Sequence, residues 1–144
     1  MTEKVLVSIN GLQFADNDSD AIEVIHVGKY QEINEKSYVK YDEMVEGDKE
    51  ITNNLIKFGD GNVEVTRKGS FASHLSFVEN EKTMTCYETP YGGIYLGIFT
   101  RSIEIIREQK EQEEIKVLID YALEVNYQHV SDCKVTIEIK QTAG

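Results

Sequence analysis

The sequence predicts an all-β fold: one antiparallel, up-and-down β-barrel of about eight to ten strands, spanning residues 1–144 as a single domain. Two observations predict it. Apolar residues recur with a period of two, and turn-forming residues cut the chain into short segments joined in linear order. No segment within residues 1–100 keeps the i, i+3, i+4 apolar spacing of an amphipathic helix.

Near the N-terminus Val5, Val7 and Ile9 share one strand face. Strands are then expected at 21–33, 37–45, 51–58, 62–69, 71–78, 82–89 and 94–106. Asp60-Gly61 is a hairpin signal, because a tight two-residue loop needs positive φ. "INEKS", "VEGDKE" and "VENEK" read as polar connectors. From Ile115 to Tyr127 the pattern is clearest: Val117, Ile119, Tyr121, Leu123 and Val125 alternate with mostly polar residues. This long strand should pair, through the link "QHVSD", with a last strand carrying Cys133, Val135, Ile137 and Ile139 on one face. The stretch "RSIEIIREQKEQEEIKVLIDYAL" is rich in helix formers, but Lys110 and Glu113 would interrupt a helical stripe. Two strands joined by a charged loop fit it better. Closing such a meander hides the sheet edges that would otherwise template aggregation.

Charge and composition narrow the partners. The net charge of −11 argues against nucleic acid, which needs a basic face to displace counterions, and against anionic membrane surfaces. No signal-like segment and no apolar run long enough to span a bilayer are present, so a cytoplasmic location is expected. In that compartment Cys86 and Cys133 are expected to be buried free thiols.

Few residues carry a chemical signature. Asp16, Asp18 and Asp20 start like a calcium loop, but Ala21 and Val27 stand where Gly and a bidentate Glu are needed, so an acidic turn is expected. His26, His74, His129 and the two cysteines lack metal-ligand spacing, and no phosphate loop or nucleophile elbow is present. No metal and no cofactor are therefore expected. Arg67 is more informative. It follows Val63 and Val65 at strand spacing, which turns a guanidinium toward the apolar side. Such a group needs an internal carboxylate, a position at the barrel mouth, or an anionic ligand. Glu88, in phase with Met84 and Cys86, is a candidate carboxylate.

The segments "VTRKGSFASHLSF", "YETPYGGIYLGIFT", "IKVLIDYALEV" and "KVTIEIK", with the early "INGLQF" and "DAIEVIHVGKY", resemble the YwiB-like bacterial family. The resemblance implies a calycin-like (lipocalin-like) barrel and no established activity. Its recurring positions map to Arg67 and Gly69 in "TRKG", and to Tyr87, Thr89, Pro90, Tyr91 and Gly92 in "YETPYG".

Two functions of different kinds follow. The first is small-molecule binding in the barrel, of an anionic or apolar ligand, with Arg67, Tyr87, Glu88, Tyr91 and Tyr121 as the candidate ligand-binding residues. The second is a packed barrel acting as an interaction module, with a homodimer contact suggested by Leu118 and Ala122 and by the two-sided strand holding Tyr95, Leu96, Ile98 and Phe99. An enzyme is the least supported reading. The stretch "YETPYGG" reads as a hairpin corner, built from Pro90, Gly92 and Gly93.

Overall fold

The computed structural model describes residues 4–11, 25–44, 51–69, 72–89, 91–109 and 111–142, and of residues 87–89 the backbone only. Ten strands account for nearly all of them: β1 (Lys4–Asn10), β2 (Ile25–Ile33), β3 (Lys36–Met44), β4 (Ile51–Gly59), β5 (Asn62–Lys68), β6 (Ser73–Val78), β7 (Lys82–Thr89), β8 (Gly92–Gln109), β9 (Glu113–Val125) and β10 (Gln128–Gln141). The stretch rich in helix formers holds strands β8, up to Gln109, and β9, from Glu113, as its broken stripe predicts. The acidic 16–20 stretch lies outside the described residues.

The strands form one antiparallel sheet in the order β6-β5-β4-β3-β2-β1-β10-β9-β8-β7. Each strand lies beside its sequence neighbour except at one place. There β1 pairs with β10, from Val5↔Gln141 to Asn10↔Thr136. The sheet edges are therefore β6 and β7, which are consecutive in the chain. They meet at the turn 79–81, where the Asn80 amide donates to Thr100 O at 2.8 Å and the Glu81 amide donates to Val78 O at 3.0 Å. Farther along, the Thr83 hydroxyl donates to Ser76 O across the seam. The result is a nearly closed barrel.

Alternation decides what fills it. Val5, Val7, Ile56, Val63, Phe77 and Val117 are among the inward side chains with no exposed surface. Cross-barrel contacts tie opposite walls: Phe77 on β6 meets Tyr121 on β9 edge to face at 5.1 Å between centroids. At the end holding the β2–β3 turn, Arg107 on β8 donates to Ser37 Oγ on β3 at 3.4 Å, and Ser37 shares a 3.0 Å hydrogen bond with Tyr30.

Three hairpins use the same two-residue loop, with both central residues at positive φ: Asn34-Glu35 (51°, 67°), Asp60-Gly61 (48°, 76°) and Asn126-Tyr127 (49°, 70°). Gly61 bears that geometry without strain, whereas Glu35 and Tyr127 carry a Cβ against it. The expected strand position for Tyr127 is thus corrected. It sits in the turn, 71% exposed, and the β9–β10 reversal comes before "QHVSD" rather than within it. The "YETPYGG" segment is a hairpin corner, with Thr89 opposite Gly92 in the β7–β8 ladder.

Candidate functional site

The inward residues change character at the end of the barrel opposite Ser37. Along β3 the buried face runs Val39, Tyr41, Glu43; along β4, Ile56, Asn54, Thr52; along β5, Val65 then Arg67. Pairing brings these positions side by side. Gly28 faces Tyr41, Tyr41 faces Asn54, Asn54 faces Arg67, and Arg67 faces Ser73. Polar groups from four adjacent strands therefore meet at one end of the interior.

Glu43 organises them. Its Oε1 accepts from Arg67 Nη2 and from Asn54 Nδ2, the latter at 3.3 Å. His26 Nε2 lies 3.9 Å from Glu43 Oε2. The His26 ring stacks on Tyr41 with centroids 4.8 Å apart and planes 24° apart. Burial, followed by the charge of Glu43, pushes the Tyr41 hydroxyl up to about 12, with Arg67 opposing, so it stays a neutral phenol at physiological pH. Gly69 sits beyond Arg67 in "TRKG", where an added Cβ would lie 2.4 Å from Thr52 Oγ1. Only glycine lets β5 lie so close to β4 at this point.

Hydrogen bonding is incomplete in one respect. Asn54 is 3% exposed, and its Nδ2 donates to Glu43 and, at 3.4 Å, to Thr52 O. Its Oδ1 has no partner among the described residues. A buried acceptor left unpaired costs about 1–3 kcal/mol, so such atoms are uncommon.

Of the sequence-predicted residues, Arg67 belongs to this cluster. Its carboxylate partner is Glu43, which corrects the expectation of Glu88. The side chains of Tyr87 and Glu88 lie outside the described residues. Met84 and Cys86, which set the phase for Glu88, are on the exposed outer face, while Thr83 and Thr85 turn inward. Cys86 is thus an exposed thiol, not a buried one; Cys133 is buried. Tyr91 is 99% exposed at the β7–β8 turn. Tyr121 is buried in the middle of the barrel against Phe77. Glu43, Asn54, Tyr41 and His26 were not expected here. The signal that marks Arg67 also marks two of them: Glu43 continues the phase of Val39 and Tyr41, and Asn54 that of Ile56 and Phe58. No group of three or more His, Cys, Asp or Glu suited to a metal ion occurs among the described residues.

Fold and site together define a ten-stranded antiparallel β-barrel protein with an apolar middle and one polar, partly exposed end. The profile of a family described as "Domain of unknown function (DUF1934)" matches residues 7–137, and the chain belongs to that family. It is 26% identical over 125 residues to the "Uncharacterized beta-barrel protein YwiB" of Bacillus subtilis (strain 168), covering 85% of this chain and 84% of that protein. The crystal structure of the ywiB protein from Bacillus subtilis superposes with a TM-score of 0.75 at 21% identity, covering 98% of this chain and 93% of the other. That superposition shows the shared barrel.

Proposed function

We propose that this protein binds a small polar molecule at the polar, partly exposed end of its barrel, against Arg67, Glu43, Asn54 and His26. The observation that carries the reading is the unpartnered, buried Oδ1 of Asn54. A ligand hydroxyl or amine donating to that oxygen removes a cost that the free fold bears. Around it the site offers the remaining N–H groups of the Arg67 guanidinium, the neutral Tyr41 hydroxyl and the second oxygen of Glu43. A ligand suited to this set has a donor at one point and an anionic or acceptor group for Arg67 at another. The polar end favours such a molecule over an apolar one, because the inward side chains of the middle are packed against one another. No reaction is assigned.

Native mass spectrometry of gently purified protein tests this, with thermal shift against a panel of small polar metabolites. The expected result is an added mass, or a raised melting temperature, in the wild type that is lost in Asn54→Leu and Arg67→Met while both variants still fold. A wild-type protein with no adduct and no thermal response to the panel would sink the proposal.

A further inference from the structure

Charge is unevenly divided between the walls of the barrel. The outward positions of β1 to β4 carry five lysines, Lys4, Lys29, Lys36, Lys40 and Lys57, against one carboxylate, Asp42. On the far wall, β8 and β9 turn Glu104, Glu108, Glu114, Asp120 and Glu124 outward against Lys116 and Arg101. A basic wall thus stands in a chain of net charge −11. The packed interior separates the two walls, and exposed charges farther apart than about 8 Å are largely screened at physiological ionic strength. The potential over β1 to β4 is therefore set by its own lysines.

Register concentrates three of these lysines. Lys4 pairs directly with Lys29, and Lys29 with Lys40, so three ammonium side chains stand side by side on β1, β2 and β3. Like charges directly opposite in a ladder destabilise it, and here two such pairs follow one another. Neither Lys29 nor Lys40 has an ion-pair partner among the described residues. Lys57, by contrast, lies 3.7 Å from Glu64 and sits over the Tyr38 ring. An open recess of about 670 Å³ runs beside the row, with Lys4, Val27, Lys29, Lys40 and Asp42 in its lining. Two residues along the strands the character changes: Leu6 pairs with Val27, and Val27 is 60% exposed. The cationic row is therefore flanked by an apolar pair about 7 Å away.

We infer that this wall docks an acidic amphipathic helix of a partner protein. Adjacent strands lie about 4.8 Å apart, so the three lysines span about 10 Å. Carboxylates at i, i+4 and i+7 of a helix stand about 5–6 Å apart on one face and cover a similar length. A helix laid across β1, β2 and β3 can set one carboxylate on each lysine, with an adjoining aliphatic stripe on Leu6 and Val27. Charge complementarity selects this occupant, because a carboxylate on each lysine removes the repulsion that the row carries. The pattern also favours a protein over other polyanions. Single-stranded nucleic acid is held by base stacking on aromatic rings, and bilayer surfaces by aromatic side chains at headgroup level. The one aromatic among the outward residues of β1 to β4, Tyr38, is held under Lys57.

A display library of helical peptides of about 15 residues, with glutamate fixed at i, i+4 and i+7 and the flanking positions randomised, tests this against the full chain. Fluorescence anisotropy then measures the selected peptides. They are expected to carry Leu, Ile or Met beside the glutamates and to lose affinity as salt rises. They should bind roughly tenfold or more weakly to Lys29→Glu and to Lys40→Glu. Lys134→Glu makes the same charge change on β10 and should leave binding within about twofold of the wild type. Both row variants should match or exceed the wild-type melting temperature, because each breaks up a run of like charges. The inference is overturned if no such helix is enriched, or if the selected peptides bind wild type and Lys29→Glu alike. It is equally overturned if phosphatidylserine vesicles or a single-stranded oligonucleotide bind this wall more tightly than the peptides do.

Discussion

Asn54 and Arg67 face each other in register on β4 and β5, and both donate to the same oxygen, Oε1 of Glu43. Removing that oxygen takes the partner of Arg67 Nη2 and leaves Asn54 Nδ2 only its 3.4 Å bond to Thr52 O. Glu43→Ala should therefore cost about 1–3 kcal/mol in urea unfolding with an unchanged slope. The Glu43→Ala/Arg67→Ala pair should cost less than the two single changes added, with a coupling of about 1 kcal/mol or below because both groups are partly solvated. Strict additivity would show that the ion pair contributes nothing to the fold.

Tyr41 sets an alkaline limit. Its pKa is raised from 10.0 to about 12 in the folded chain, mainly by burial. Between these values the folded state holds a proton that the unfolded state has released. Stability is accordingly full below pH 10 and falls as pH rises through 12, by on the order of 2–3 kcal/mol at most. Tyr41→Phe should lack this loss. Unfolding at intervals across that range, with wild type and variant side by side, reads the difference.

The Asn34-Glu35 hairpin offers a stabilising change. Glu35 has φ 67°, a region that disfavours any Cβ. Glu35→Gly gives the loop the residue its geometry prefers and should add about 1 kcal/mol to stability. A calorimetric melt that stays flat or falls would contradict it.

Asp132 reports on the outer face. A hydrogen bond from Arg101, then one from His129, holds its carboxyl below the ordinary value. A depressed folded pKa stabilises above the unfolded value, and the effect is lost as pH falls through the folded one. In Arg101→Gln the carbon-13 NMR titration midpoint of Asp132 should rise toward 3.8. The group is solvent-exposed, so the titration midpoint is the observable here.

Much of this architecture was legible because a strand repeats every two residues. Val5 through Ile139 kept the phase that the alternation assigns, and the barrel follows from closing a meander. Arg67 was visible as a charge in an apolar phase. Asn54 and Glu43 were harder to see, because polar residues near strand ends resemble strands running out into loops, and only the register shows that three strand ends share one space. The phase expected for β7 was inverted, because its apolar residues Met84 and Cys86 face outward while Thr83 and Thr85 face in. Tyr127 was misplaced because its left-handed backbone is imposed by the hairpin rather than by its own preference.

The β1–β10 ladder has a consequence for how the barrel assembles. Strands β1 to β6 and β7 to β10 are two meanders, each able to zip up hairpin by hairpin through contacts close in sequence. Joining them by hydrogen bonds requires Val5 to find Gln141 and Asn10 to find Thr136, nearly the whole chain apart. Such a clasp closes late, after the local zippers. Trimming Val7 to alanine should then speed unfolding and leave the folding limb of a chevron almost unmoved.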